Sequence, residues 1–222
     1  MRFAALLLVA FAGACAAPKP ALEEDGAWIE LFNGRDLSGW VGGSTFDPAA
    51  ITPENQAGWD AAVPLHWSVD SGELVSDGAG PHLVTAADYG NFEFELDWKI
   101  QPLGDSGIYL RGYPQVQIWD PANPNEVGNG APRGSGGLWN NDVHERFPLA
   151  LADLPPGEWN HMRVKMAGAQ VDVWLNGVSI VQGVEMDNYF HRGEPLRATG
   201  PVHLQTHGSE VRFRNVRILI LD

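Results

Sequence analysis

The sequence predicts an all-β domain in which two antiparallel sheets pack face to face, with jelly-roll connectivity. Three observations carry that prediction. Short runs of strict apolar–polar alternation recur along the chain, clearest in Phe92-Glu93-Phe94-Glu95-Leu96-Asp97-Trp98-Lys99-Ile100, and period two is the signature of a strand with one buried face. Turn residues separate the runs, with 26 Gly and 16 Pro in 222 residues. No stretch sustains a helical period, and no strand–helix–strand rhythm appears.

Taken in order, residues 1–15 read as an export signal. Met1-Arg2 supplies a positive start, and Phe3 to Phe11 is apolar but too short to span a bilayer. Ala12-Gly13-Ala14 then lead into Cys15. The segment resembles a bacterial lipoprotein signal in which Cys15 is acylated and anchors the protein in the membrane. The other reading is ordinary cleavage at an A-x-A-like site, Ala14-Cys15-Ala16. Both place the protein outside the cytoplasm, in the periplasm or cell envelope. Residues 16–26 form a tether of small, proline and acidic residues, and 27–222 a single domain.

Within that domain the further strand runs are Gly107 to Arg111, Val116 to Trp119, His161 to Met166, Val171 to Leu175, Val178 to Val181, Val202 to His207 and Val211 to Leu221. Asn176-Gly177 marks a hairpin, because both turn positions tolerate positive φ. Val41 to Leu65 and Pro121 to Pro156 break the rhythm and are predicted to be ordered flaps, with Trp59, Trp139 and Phe147 facing a cleft.

Charge and cysteine count narrow the function. Lys and Arg total 14 against 28 Asp and Glu, for a net charge of −14, which disfavours a nucleic-acid partner. One Cys excludes a disulfide framework and any multi-cysteine metal site. Gly104-Asp105-Ser106-Gly107 has the look of a protease nucleophile loop but lacks a matching histidine context, and His144-Glu145 lacks the second histidine of a zinc-binding helix.

Three runs instead present hydrogen-bonding and aromatic side chains on one side: Tyr109 and Arg111; Gln115, Gln117 and Trp119; His203, Gln205 and His207. Such a set suits a polyhydroxylated ligand, with fixed donors and acceptors at its edges and a ring to stack on. Glu93, Glu95 and Asp97 share a strand face at roughly 6.5–7 Å steps, close to the spacing of a glycosidase carboxylate pair. A solvated acidic face is the reading preferred for them, because acidic strand faces are common.

At these residues the chain resembles the 3-keto-glycoside lyase/hydratase family, also described as 3-keto-disaccharide hydrolases. The resemblance runs from Leu31-Phe32-Asn33-Gly34-Arg35-Asp36-Leu37-Ser38-Gly39-Trp40, through Asp105-Ser106-Gly107-Ile108-Tyr109-Leu110-Arg111-Gly112 and Gln115-Val116-Gln117-Ile118-Trp119-Asp120. It continues through Trp174-Leu175-Asn176-Gly177 and His203-Leu204-Gln205-Thr206-His207-Gly208 to Phe213-Arg214-Asn215-Val216-Arg217-Ile218. It implies a concanavalin-like jelly-roll β-sandwich. Many members carry Glu where Gln115 stands, and Gln115 can only hydrogen-bond.

The chemistry the resemblance implies is β-elimination across C1–C2 of a 3-keto-glycoside followed by hydration, with an upstream sugar 3-dehydrogenase supplying the ketone. A base, a donor for the enolate oxygen and a proton for the leaving group are needed. On this reading His207 is the base, Arg111 stabilises the enolate, and Gln117 and His203 orient hydroxyls. Asp120 is a second acid/base or, with His207, a ligand to a divalent metal ion. Tyr109, Gln115, Trp119, Gln205, Trp139, Glu95 and Asp97 bind substrate. Two other functions fit the same sequence: a non-catalytic carbohydrate-binding module, and a glycosidase using Glu95 and Asp97.

Overall fold

The computed structural model describes residues 26–44, 51–112 and 115–222. The signal at 1–15 and all of the tether except Gly26 lie outside the described residues. In chain order the elements are β1 (Ile29–Glu30), β2 (Trp40–Gly43), α1 (Pro53–His66), β3 (Trp67–Asp70), β4 (Glu73–Ser76), β5 (His82–Thr85) and β6 (Asn91–Ile100). There follow β7 (Asp105–Tyr109), β8 (Gln115–Trp119), β9 (Asn160–Ala167), β10 (Gln170–Leu175), β11 (Val178–Glu185), β12 (His203–Leu204) and β13 (Val211–Leu221).

Among the described residues these strands form two antiparallel sheets. One has the order β11-β10-β9-β6-β13-β4-β3, with β1 added to β13; the other runs β2-β5-β12-β7-β8. The expected all-β jelly-roll sandwich is the observed fold. Alternation decides what lies between the sheets. Phe92, Phe94, Leu96, Trp98 and Ile100 of β6 meet Leu83, Ile108, Val116, Ile118 and Leu204 of the facing sheet in one core cluster, and burial of this apolar surface is the main stabilising term.

The opposite face of β6 is acidic but not solvated. Glu93 is ion-paired to Arg163, Glu95 to Arg217 at 2.6 Å, and Asp97 to Arg214 at 3.1 Å and His161 at 2.9 Å. The arginines in turn stack on indoles: Arg217 over Trp28, Arg163 over Trp174 and Arg214 over Trp159. Glu95 and Asp97, expected at the substrate, are therefore cross-strand partners on the larger sheet. Their carboxylates stand directly across from cations in the register of β6 with β9 and β13.

The 41–65 segment, expected as an irregular flap, contains α1. Only Val63 of its 14 residues is buried, so no apolar stripe announces it. The helix starts by capping: the Thr52 side chain accepts from the Asn55 N–H, and Pro53 occupies the first turn. It docks through polar ties, Gln56 Nε2 donating to the Gly42 carbonyl at 2.8 Å and the Gly42 N–H to Asp60 at 2.9 Å. A Cβ on Gly42 would fall 2.5 Å from the Trp59 backbone. Gly42→Ala is accordingly expected to cost about 1–3 kcal/mol and to push α1 off β2, seen as a lower urea midpoint and a red-shifted tryptophan emission.

Candidate active site

Alternation also decides what the five-stranded sheet shows on its outer face. Ser106 and Ile108 of β7 and Val116 and Ile118 of β8 point inward, all fully buried. Asp105, Gly107 and Tyr109, with Gln115, Gln117 and Trp119, therefore point outward. Residues 134–140 run along the free edge of β8: the Gly136 N–H donates to Gln117 O, the Gln117 N–H to Gly137 O and the Trp139 N–H to Gln115 O. That covers the exposed edge and sets Trp139 and Asn140 beside the sheet. A second loop carries Tyr189 and Phe190, with Arg192 tying it to the Asn140 carbonyl at 3.1 Å. Sheet and loops enclose a cleft of about 550 Å³ lined by Asp105, Tyr109, Gln115, Gln117 and Trp119 of the sheet and by Trp139, Asn140, Tyr189 and Phe190 of the loops, together with His82, Glu126, Asn129, Gln205 and His207.

A continuous hydrogen-bond chain crosses the floor. Gln117 Nε2 donates to Asp105 Oδ1 at 2.8 Å, and Gln115 Nε2 donates to Gln117 Oε1 at 2.8 Å and to Gln205 Oε1 at 2.9 Å. Gln205 Nε2 then donates to the Tyr109 hydroxyl at 2.8 Å. A carboxylate only accepts, so Asp105 fixes the sense of every amide after it. Gly107 leaves the room: a Cβ there would lie 2.3 Å from Gln115 Nε2.

The other Asp105 oxygen pairs with His207 Nδ1 at 3.4 Å. This bond, with the negative charges of Asp105 and Glu126, raises the His207 pKa above its ordinary 6.5. The aromatic walls are fixed as well. Trp119 donates its Nε1–H to the Gly134 carbonyl at 2.8 Å and meets Trp139 edge to face at 5.3 Å, while the Arg146 guanidinium lies 3.7 Å from the Trp139 ring centroid.

Seven of the expected residues thus come together: Tyr109, Gln115, Gln117, Trp119, Trp139, Gln205 and His207. Arg111 does not join them. Strand β7 ends at Tyr109, Arg111 turns at φ 52°, and alternation carried past the strand end misplaces its side chain. Its guanidinium donates to the carbonyls of Gly90, Gly168 and Arg197 and to Asn91 Oδ1, beside a separate hollow of about 600 Å³. Asp120 also lies outside the cleft: its carboxylate accepts from the backbone N–H groups of Leu103 and Ala122 at 2.9 Å each and so holds two turns. His203 shares the face of Gln205 but is buried against Tyr109, the rings 5.9 Å apart, and burial pushes its pKa down to about 3.

A metal held by Asp120 and His207 does not fit this arrangement, since the Asp120 oxygens are taken by backbone donors and only His207 lines the cleft. Among the described residues no group of three or more His, Cys, Asp or Glu is gathered for a metal.

Asp105, His82, Glu126, Asn129, Asn140, Tyr189 and Phe190 were not anticipated. Asp105 was readable, being two steps of alternation before Gly107 and four before Tyr109. His82 begins the short run His82-Leu83-Val84-Thr85, in which the β-branched Val84 and Thr85 are the strand signal. The others sit on loops or, for Glu126 and Asn129, on a single 3-10 turn, without periodicity.

Comparison with known proteins gives a consistent picture. Residues 27–219 match the family described as 3-keto-alpha-glucoside-1,2-lyase-like domain. A 3-keto-disaccharide hydrolase of Bacteroides thetaiotaomicron is 24% identical over 90% of this chain and 80% of its own length. Two crystal structures from Parabacteroides distasonis, both of candidate glycosyl hydrolases, align over 88% of this chain. One has TM-score 0.66, 24% identity and 94% of its own chain covered; the other has 0.64, 26% and 100%.

Two variants test the geometry. Gln115→Glu sets a carboxylate against two amide oxygens and is expected to destabilise the domain by about 1–3 kcal/mol at pH 8. The deficit should shrink at pH 5 as the new carboxyl takes a proton and can donate again, as read by urea unfolding. Arg111→Leu, which strands carbonyls outside the cleft lining, is expected to lower stability by about 2–4 kcal/mol while leaving kcat and KM of the folded fraction within about threefold.

Proposed function

We propose, for a chain that belongs to the 3-keto-alpha-glucoside-1,2-lyase-like domain family, that it cleaves 3-keto-glycosides by elimination across C1–C2 followed by hydration. The observation that carries this reading is the Asp105–His207 pair standing on a cleft whose walls, Glu126 apart, are built of amides and aromatic rings. The amides match sugar hydroxyls as donors and acceptors, and Trp119, Trp139, Tyr189 and Phe190 offer ring surface for a pyranose.

A ketone at C3 acidifies the hydrogen on C2. With Nδ1 held toward Asp105, His207 keeps Nε2 for that proton, and the carboxylate stabilises the imidazolium that results. The C2–H electron pair forms the C2=C3 bond of an enolate. Its collapse forms C1=C2, restores the C3 carbonyl and breaks the bond from C1 to the glycosidic oxygen, which leaves with a proton. Water then adds at C1 and a proton at C2, so the net outcome is hydrolysis. Residues 1–15, with Cys15 as lipid attachment, would put this activity at the cell envelope, downstream of a reaction that oxidises the sugar at C3.

Purified protein given a 3-keto-glucoside and its unoxidised parent is expected to cleave only the former. Binding of either without turnover would instead make it a carbohydrate-binding module. In heavy water the product should carry deuterium at C2, and its absence rejects the elimination route. His207→Gln is expected to lower kcat/KM roughly 10²–10⁴-fold. Because protonated His207 cannot act as base, kcat/KM should fall on the acid side, with the midpoint above 6.5. Asp105→Asn keeps the acceptor for Gln117 but removes the charge, so that midpoint should move to lower pH.

A further inference from the structure

The residues assigned above leave one requirement of the reaction unmet. As C2 loses its proton, charge gathers on the C3 oxygen, and a donor must already be aimed there. Arg111 is committed elsewhere, and among the described residues no Arg or Lys lines the cleft. Beside His207, the donors that remain among the described lining residues are neutral.

His82 has the required form. It opens β5, lines the cleft and stacks on Tyr109, the rings 5.7 Å apart at 28°. The Thr206 backbone N–H donates to its Nδ1 at 3.1 Å. Thr206 Oγ1, 3.2 Å from the same nitrogen, gives its own proton to the Gly80 carbonyl. A nitrogen that accepts a hydrogen bond carries no proton, so the neutral ring holds its single proton on Nε2. Burial, reinforced by the charge of His207, pushes the His82 pKa down to about 4. The ring is therefore uncharged wherever His207 is able to act as base. A neutral imidazole kept in one tautomer is a known means of polarising a carbonyl.

Resting on the keto-glycoside reading above, we propose that His82 is a catalytic residue whose Nε2–H donates to the C3 oxygen as the enolate develops. His207 Nε2 takes the C2 proton, the C–H pair becomes the C2=C3 bond, and the carbonyl π pair moves onto the oxygen. His82 hydrogen-bonds that oxygen and keeps its proton. When the pair returns to rebuild C3=O, the bond from C1 to the leaving oxygen breaks.

Two measurements on the full chain test this. Nitrogen-15 NMR of the histidine rings should find His82 neutral and protonated on Nε2 from pH 5.5 to 8. With a 3-keto-glucoside as substrate, His82→Phe, which keeps a flat ring without a donor, should lower kcat roughly 10²–10³-fold with KM changed less than about threefold. His82→Gln, which retains an N–H, should recover part of that loss and guards against a folding defect in the first variant. A proton on Nδ1, or both variants retaining kcat within threefold of an active wild type, overturns the assignment of His82 alone. A wild-type protein that cleaves no keto-glycoside overturns the functional reading and this assignment with it.

Discussion

The order of the cleft floor depends on Asp105. Five side chains from three strand segments meet there, and three of them are primary amides, which are ambiguous in direction when left to themselves. One carboxylate removes the ambiguity, because it can only accept. Gln117 must then offer its nitrogen, which turns its oxygen to Gln115, whose nitrogen also reaches Gln205, whose nitrogen reaches Tyr109. The same carboxylate holds His207 through its second oxygen. A single group thereby orients both the amide floor and the imidazole above it, and a substitution that removed its acceptor atoms would disorder both.

The two sheets treat charge in opposite ways. On the outer face of the larger sheet every acid of β6 finds a cation across the strand, and the arginines are backed by indoles. On the smaller sheet the cleft carboxylates Asp105 and Glu126 meet a histidine and amides, with no arginine or lysine among the described residues lining the cleft. Arg111 sits one turn beyond β7 and spends its donors on backbone carbonyls. It holds together the chain segments around Gly90, Gly168 and Arg197 at a distance from the reacting groups.

How much of this was legible in the sequence follows from where alternation is valid. Within a strand it sorts side chains reliably, and Gln115, Gln117, Trp119 and Tyr109 fall on one face as the spacing requires. Past a strand end it no longer binds the chain: Gln205 and His207 still reach the cleft, but a left-handed turn redirects Arg111 and backbone donors capture Asp120. Pairing across strands is invisible in one dimension, so Glu95 and Asp97 resembled a catalytic pair until the register set arginines opposite them. Helix α1 escaped because its hold on the sheet is polar, through Gln56 and Asp60 on Gly42, and no apolar period records a contact of that kind. His82 opens a strand of only 4 residues, whose Val84 and Thr85 are a faint signal, and Tyr189 and Phe190 lie on a loop tied to the distant Asn140.

The scarcity of cations around the cleft also bears on which sugars it admits. A uronic acid or a sugar phosphate would bring its anion toward Asp105 and Glu126, and among the described residues that line the cleft only His207 can carry a positive charge to receive it. Uncharged pyranoses meet no such barrier. On the proposed reading, the wall that leaves the reaction to neutral donors would also act as a filter, turning away acidic carbohydrates before any bond is touched.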